Sequence, residues 1–360
     1  MSEIKNMLIV ANSGRMLAQL AKNIGFEPLV IDCFSDADTQ VLALDCIKVD
    51  SLALECVKAA FSVLSLKYTI THVVYGSGLE CYPATLAFLN QNLTVLGNTP
   101  DAFLAIQNKP QFFQTLIRLQ IPFPETTFEP PINSEGWLIK PMQGEGGIGV
   151  KKYKCLPDDS ADIYWQKYQP GIAMSVLFMA NGYDFKIIGF NKQFVTSLVD
   201  NDFVFSGVIS QPEISEWLVN IVSAWLNQLV VEFSLKGINS LDFIVNDTQC
   251  YVLEINPRPS ASMQLYKSSI LSAHIDSFSV ERLASIERPD DYQGYQIIFA
   301  ESDIYINKNT LWPAWVVDIP QADAFINTGM PICSIIARGK NEQQVKDLLL
   351  LKQLNIKKLL

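Results

Sequence analysis

Apolar positions at the start of the chain follow a strand–helix–strand rhythm. Met7 to Ala11 form an uninterrupted apolar run, Asn12 to Gly14 a polar turn, and Met16, Leu17, Leu20, Ala21 and Ile24 then recur every three or four residues. A short apolar run closed by a turn predicts a buried strand, and the 3.6-residue period predicts an amphipathic helix. Gly25 suits the position just past that helix, and Leu29 to Ile31 predict a second strand ending at Asp32. Further strands are expected at 72–75 and 93–96, with a helix at 83–91 between them. The pattern is that of a small doubly wound α/β unit.

Beyond residue 100 the pattern changes. "NKPQFFQTLIRLQIPFPET" reads as a helix with Pro110 near its start, broken by Gln120 and the following "IPFP". "GWLIKPMQGEGGIGVKKY" reads as strand, glycine-rich loop and strand, and "DIYWQKYQPGIAMSVLFMANG" as two strands joined around Pro170-Gly171. Trp217, Leu218, Ile221, Val222, Trp225, Leu226, Leu229 and Val230 mark a helix over 217–230, and their stripe is expected to be core. "INSLDFIVNDTQCYVLEINPRPS" predicts a hairpin turning at Asn246-Asp247, and about 291–360 a βαβ-like piece ending in a Lys-rich helix.

Composition narrows what such a chain does. Its 360 residues imply two or three domains, and 49% apolar against 18% charged residues implies a compact globular protein. A net charge of −10 argues against nucleic acid and against an anionic membrane surface. Seven scattered cysteines read as reduced thiols of a cytoplasmic protein, and two histidines leave no His-rich metal site. No apolar run reaches the roughly 18 residues of a membrane span, so the chain is expected to be soluble. The first turn, Asn-Ser-Gly-Arg, lacks the GxGxxG cradle for a dinucleotide. The strand ends still form a crevice, where Arg15, Asp32, Ser77 and Glu80, with Ser260 and Ser262, are expected to contact a small substrate.

Two segments carry candidate chemistry. In a strand, residues two apart share a face, so Glu254 and Asn256 project together. A turn at 246–247 sets Asp242 nearly opposite Tyr251, a position or two short of Glu254, within reach of a shared ion. Oxygen ligands without His or Cys suit Mg²⁺ or Mn²⁺ shared with phosphate oxygens, and Arg258 adds a planar cation beside them. The second segment, "KPMQGEGGIGV", offers Gly144, Gly146, Gly147 and Gly149 as a flexible lid whose N–H groups face phosphates, with Lys140 before it. No helix follows and the lysine precedes the glycines, so it is not a Walker A loop.

Taken together, these motifs resemble those of the ATP-grasp enzymes. "NKPQFFQTLIRLQIPFPET" resembles the family's opening "K…L…GIPxP", "LIKPMQGEGGIGV" its lid, "WQKYQPG" its adenine hinge, and "LDFIVND…YVLEINPRPS" its metal hairpin. The resemblance implies an α/β (α+β ATP-grasp) fold. A Rossmann-like pre-ATP-grasp domain would span 1–108, an ATP-grasp domain 109–290 with its lid at about 112–168, and a small C-terminal α/β segment 291–360. It implies ATP contacts by Lys109, Lys140, the four lid glycines, Gln166, Lys167, Tyr168, Gln169 and Ser175. Asp242, Glu254 and Asn256 would hold Mg²⁺ or Mn²⁺, and Arg258 and Lys140 would be catalytic. Met174 stands where relatives often carry an acid for ribose, Gln166 replaces the commoner Glu, and Asp242 is shorter than the usual Glu. The implied reaction is ATP-dependent activation of a carboxylate for attack by an amine, by a homodimer acting on small molecules. The N-terminal part is similar to carboxyaminoimidazole ribonucleotide synthetase, while "DCFSDADTQ" and the tail look closer to ATP-grasp carboligases associated with one-carbon carrier cofactors. A degenerate nucleotide-binding member of the family stays open as an alternative.

Overall fold

A computed structural model describes residues 5–155, 162–247, 249–286 and 289–360; part of the expected lid, 156–161, lies outside the described residues. The N-terminal unit is a parallel sheet in the order β3-β2-β1-β4-β5. Its strands are β1 (Asn6–Ala11), β2 (Glu27–Asp32), β3 (Asp45–Lys48), β4 (His72–Tyr75) and β5 (Thr94–Val95). Helices α1 (Arg15–Asn23), α2 (Ala37–Leu42), α3 (Leu54–Lys67) and α4 (Pro83–Asn92) connect them. The strands and helices expected from periodicity are present, and α2, β3 and α3 are added between them. Strands covered on both faces become continuous apolar runs, which is why five consecutive residues of β1 are buried. The β1–α1 corner is closed by Asp32, whose carboxylate accepts from the Gly14 N–H at 3.0 Å and the Ser35 N–H at 2.6 Å.

Helices α5 (Pro100–Gln107) and α6 (Lys109–Arg118) lead into a small four-stranded sheet. That sheet holds β6 (Thr126–Thr127), β7 (Trp137–Pro141), β8 (Lys151–Lys152) and β9 (Ile163–Lys167). Its own core amounts to Trp137, Ile139 and Trp165, so little apolar burial holds it in one piece. The strands expected on either side of Pro170-Gly171 belong to different sheets, so this junction, the expected hinge, links the small sheet to the body.

The body is an eight-stranded sheet in the order β14-β13-β10-β11-β12-β15-β19-β17. It is built from β10 (Ile172–Asn181), β11 (Phe185–Leu198), β12 (Asn201–Gln211), β13 (Lys236–Val245), β14 (Cys250–Asn256), β15 (Tyr292–Phe299), β17 (Val316–Val317) and β19 (Pro331–Gly339). A two-stranded ribbon, β16 (Ile304–Tyr305) with β18 (Phe325–Ile326), lies beside it. Helices α7 (Glu216–Glu232), α8 (Ser269–Asp276) and α9 (Glu342–Leu359) complete the chain. The C-terminal segment is therefore not βαβ-like: β15 and β19 pair antiparallel and extend the body sheet at its edge. One face of the sheet packs on α6 and α7 through Phe112, Val176, Phe178, Val222, Leu226, Leu241 and Phe243. The other meets the N-terminal sheet, with Met7 and Ile9 sharing a core with Leu177, Met179 and Ile238. Trp217 departs from the expected stripe. It sits in the first turn of α7 and is 41% exposed, whereas Leu218, Val222, Trp225, Leu226, Leu229 and Val230 are buried.

All seven cysteines are free thiols. His274 is a core residue, fully buried: its Nδ1 accepts from the Ile238 N–H at 2.9 Å, so Nε2 carries the proton and donates to the Leu96 carbonyl at 3.0 Å. Among the described residues, no helix is long and apolar enough to cross a membrane.

Candidate active site

The acidic hairpin is arranged more tightly than strand alternation alone allows. Between Val245 and Phe243 the two strands pair in simple register with Cys250 to Val252; a bulge then places Asp242 directly opposite Glu254. The hairpin closes with the Asn246 N–H donating to the Gln249 carbonyl at 3.0 Å. Both features shift the register expected from a turn at 246–247, and the bulge does further work. Cys250 and Val252 lie in the core, and without an extra residue Glu254 would follow them there. The bulge instead turns Glu254 and Asn256 to the cleft face, while Ile255 takes the core position. Ser175, on β10, pairs with Asp242 on its other side, so Glu254, Asp242 and Ser175 form one row across three strands.

Asp242 Oδ2 accepts from Asn256 Nδ2 at 3.2 Å, while Oδ1 is buried and, among the described residues, has no well-formed hydrogen bond, the Gln193 side chain being near enough only to lower the group's pKa somewhat. Burial, then the neighbouring Glu254, push its pKa up to about 7. A buried carboxylate with an orphan oxygen, facing a second carboxylate and an amide oxygen, fits a hard divalent cation, which would supply the missing partner. The chain offers two carboxylates and one amide here, so a cation held there would take its remaining ligands from outside these side chains.

Two lysines converge on the same row. Lys109, buried in the first turn of α6, has Nζ 3.6 Å from Glu254 Oε2. Lys140, at the end of β7, donates to Gln166 Oε1 at 2.9 Å. Burial lowers its pKa to about 8, opposed by Glu254 and assisted by Lys109. The Gln166 side chain is committed elsewhere than expected. It is buried, with Nε2 donating to Thr126 Oγ1 at 3.0 Å, so it positions Lys140 rather than lying against a base. In the hinge, the Lys167 N–H donates to the Glu125 carbonyl at 2.8 Å, its Nζ lies over the Trp137 ring, Tyr168 is exposed and Gln169 is half-buried. Met174 is buried in the core beneath the sheet, on the opposite face from Ser175, which is why it does not take a ribose-binding acid's role.

The lid is folded down. Gly146 accepts through its carbonyl from the Phe205 N–H at 2.8 Å, the Val150 carbonyl from the Asp202 N–H at 3.0 Å, and the Gly149 N–H donates to Asn201 Oδ1 at 2.6 Å. The β11–β12 hairpin thus serves as the lid's dock, a role with no local motif to reveal it. From the docked loop Glu145 reaches inward to Asn12 Nδ2 and towards Arg258.

Arg258 is buried, its Nε donating to Glu80 Oε1 at 2.6 Å. Glu80 is therefore a clamp on the arginine rather than a free substrate contact; its other oxygen accepts from the Gly78 N–H at 2.7 Å. Asp32 is likewise committed to its corner. Arg15 is a bridge between domains: its Nε lies 2.9 Å from Asp318 Oδ1 and its Nη2 donates to Gln264 Oε1 at 2.7 Å. Ser260 and Ser262 bond each other at 2.9 Å, and Ser77 holds the Asn12 N–H through its carbonyl at 2.8 Å. Neither Asn12, in the turn after β1, nor Glu145, among the lid glycines, is singled out by the sequence. Only the fold brings them together.

A family model described as an ATP-grasp domain matches residues 106–262. The chain is 27% identical over 261 residues to an uncharacterised protein of Methanocaldococcus jannaschii, covering 68% of this chain and 64% of that one. It is 22% identical over 270 residues to the arginine-specific large chain of carbamoyl phosphate synthase from Halalkalibacterium halodurans, covering 68% of this chain and 25% of that one. It thus spans just under two thirds of the first relative and a quarter of the second. Among solved structures, biotin carboxylase from Campylobacter jejuni, in complex with β,γ-ATP, superposes with a TM-score of 0.73 at 15% identity over 96% of this chain and 90% of that one. An L-amino acid ligase from Bacillus licheniformis gives 0.71 at 12% over 97% of both chains. N5-carboxyaminoimidazole ribonucleotide synthetase from Thermotoga maritima gives 0.68 at 16% over 97% and 98%. At these identities the likeness is one of fold.

Proposed function

Because the chain belongs to the ATP-grasp superfamily, we propose that it is an ATP- and Mg²⁺-dependent ligase that joins a carboxylate to an amine. The observation that carries this reading is the cluster of Glu254, Asp242 and Asn256, with the orphan Asp242 Oδ1, facing Lys109 and Lys140. Nucleotide would lie between lid and body, its base against the hinge at the Lys167 carbonyl and the Gln169 N–H, since the Lys167 N–H is already engaged. Lys109, Lys140 and the lid amides would hold its phosphates. Asp242, Glu254 and Asn256 would hold Mg²⁺ or Mn²⁺, which when bound offsets the charge of the β- and γ-phosphates.

The substrate carboxylate then attacks the γ-phosphorus, and ADP leaves. The amine attacks the acyl carbon, the bond to phosphate breaks, and the amine's proton is lost. Arg258, fixed by Glu80, stands ready to stabilise charge on the transferring group and on the tetrahedral oxyanion, the kind of preorganised charge that contributes a few kcal/mol to a barrier. A docked lid keeps water from the acyl phosphate. Domain limits follow the same reading: a pre-ATP-grasp unit to about 108, an ATP-grasp unit to about 290, and a C-terminal segment that extends its sheet.

The test is ADP release by the purified chain with Mg-ATP, with candidate acids set against candidate amines. One pair is bicarbonate with aminoimidazole ribonucleotide, because the fold likeness to N5-carboxyaminoimidazole ribonucleotide synthetase covers both chains almost fully. Some pair should stimulate ADP formation, and Glu254→Gln should abolish the stimulation. Failure of the wild-type chain to bind ATP would sink the reading; binding without turnover on any pair would favour a nucleotide-binding protein that does not ligate.

A further inference from the structure

The lid glutamate occupies a crevice that is built for a carboxylate. Glu145 stands near the tip of the glycine loop, yet its side chain is only 22% exposed. Its Oε1 accepts from Asn12 Nδ2, and its Oε2 lies 3.9 Å from Arg258 Nη2. The Gly78 N–H, which donates to Glu80, also faces it. These donors come from the turn after β1, the turn after β4 and the segment after β14. In the order β3-β2-β1-β4-β5, β1 and β4 are the neighbours at which the winding reverses, the place where sheets of this kind bind ligands.

Each donor is fixed in place. Asn12 Oδ1 accepts from the Cys33 thiol at 3.5 Å, and burial raises that thiol's pKa to about 11, so it keeps its proton. The amide oxygen is thereby turned away and its NH₂ faces the crevice. The Asn12 N–H is held by the Ser77 carbonyl, and its own carbonyl accepts from the Cys33 N–H at 3.0 Å. Gly78, at φ +106°, leaves the room: a Cβ there would stand 2.5 Å from Asn12 Cγ. Arg258 is locked through Nε to Glu80, so its Nη2 edge is what remains to face Glu145. Charge selects the occupant. Burial, then the Glu80 carboxylate, push the Glu145 pKa up, against the pull of Arg258 and the bonds from Asn12 and Gly78. Beside Glu80 a single negative charge is held against repulsion, and a dianionic phosphate is repelled more strongly.

We propose that Asn12 Nδ2 and Arg258 Nη2 form the binding site for the carboxylate of the acid substrate, and that Glu145 is an internal competitor which the substrate displaces. Calling the ligand the acid substrate rests on the ligase reading; the affinity of the crevice for a carboxylate does not. Asn12 is then a substrate-binding residue and Glu145 a gate that withholds the site from weak acids.

Acetate and inorganic phosphate are suitable probes, titrated by NMR line broadening into the full chain with and without a non-hydrolysable ATP analogue. A tethered competitor acts at an effective concentration of order millimolar, so Glu145→Ala should tighten acetate binding by about tenfold or more. Glu145→Gln, which keeps its bulk and its bond to Asn12 but not its charge, should give a smaller gain. Adding Asn12→Ala to Glu145→Ala should cancel the gain, and phosphate should gain little. If Glu145→Ala binds the ATP analogue but acetate no better than wild type, the proposal fails and the ligase reading survives. An equal gain for phosphate overturns the assignment to carboxylates. A gain for acetate in a chain that never binds ATP upholds the crevice and removes the ligase reading instead.

Discussion

Replacing Gly147 by alanine should undock the lid, and Gly146→Ala is the control that isolates why. Both glycines have positive φ, +74° and +61°, so alanine at either costs roughly 1–2 kcal/mol in backbone strain. Around Gly146 a Cβ meets nothing within 4 Å, but at Gly147 it would stand 2.0 Å from the Phe203 carbonyl oxygen on the docking hairpin. Backbone on both sides means the clash is relieved only by separation. Separation gives up the Phe205–Gly146, Asp202–Val150 and Gly149–Asn201 bonds and the Lys152 N–H bond to Asp202 Oδ2 at 2.8 Å. Four such bonds at about 0.5–1.5 kcal/mol each are worth roughly 2–6 kcal/mol. At tenfold per about 1.4 kcal/mol, amide exchange at Gly149, Lys152, Asp202 and Phe205 should quicken about 5- to 30-fold in Gly146→Ala and more than about 100-fold in Gly147→Ala. Hydrogen exchange read by mass spectrometry measures this, with exchange in β1 and α7 as an internal reference. Equal acceleration in the two variants would refute the argument, because strain alone would then account for both.

Gln166→Glu should move the alkaline limb of activity. Lys140 titrates near 8 because burial lowers it, so ADP release should fall as the pH rises through about 8. A carboxylate in place of the amide oxygen 2.9 Å away favours the ammonium and should raise that midpoint by about a unit or more; an unmoved limb would show that Lys140 does not set it. Asp36 gives a stability prediction. Burial, with Asp318, Asp38 and Asp32 nearby, raises its pKa from 3.8 to about 8. Between those values the folded state holds a proton that the unfolded state has released, so stability falls with rising pH, by up to about 1.4 kcal/mol per unit. Asp36→Asn should therefore raise the melting temperature at pH 8 while changing little near pH 4, and an equal effect at both would count against it.

The sequence on its own determined most of the element pattern and the chemical inventory. Periods of 2.0 and 3.6 depend on local backbone geometry, so the β1–α1–β2 rhythm, α7 and the β13–β14 hairpin could be read from apolar spacing alone. Lys140, the lid glycines, Asp242, Glu254 and Asn256 were equally visible, because residue type is itself the chemistry; Lys109 was legible only through the family resemblance. Contacts between distant residues were not. Glu80 and Arg258 stand 178 residues apart and Arg15 and Asp318 303 apart, and no spacing rule spans such gaps; only packing shows that Glu80, Asp32 and Arg15 are already committed. The C-terminal strands illustrate the same limit, since pairing at the edge of the body sheet depends on which edge is open, not on their own residues. One bulge on β14 decided which face Glu254 occupies, and a one-residue change of register reverses every side chain beyond it. Tertiary packing set the bulge, and with it placed Glu254 across from Asp242 in the cleft instead of in the core.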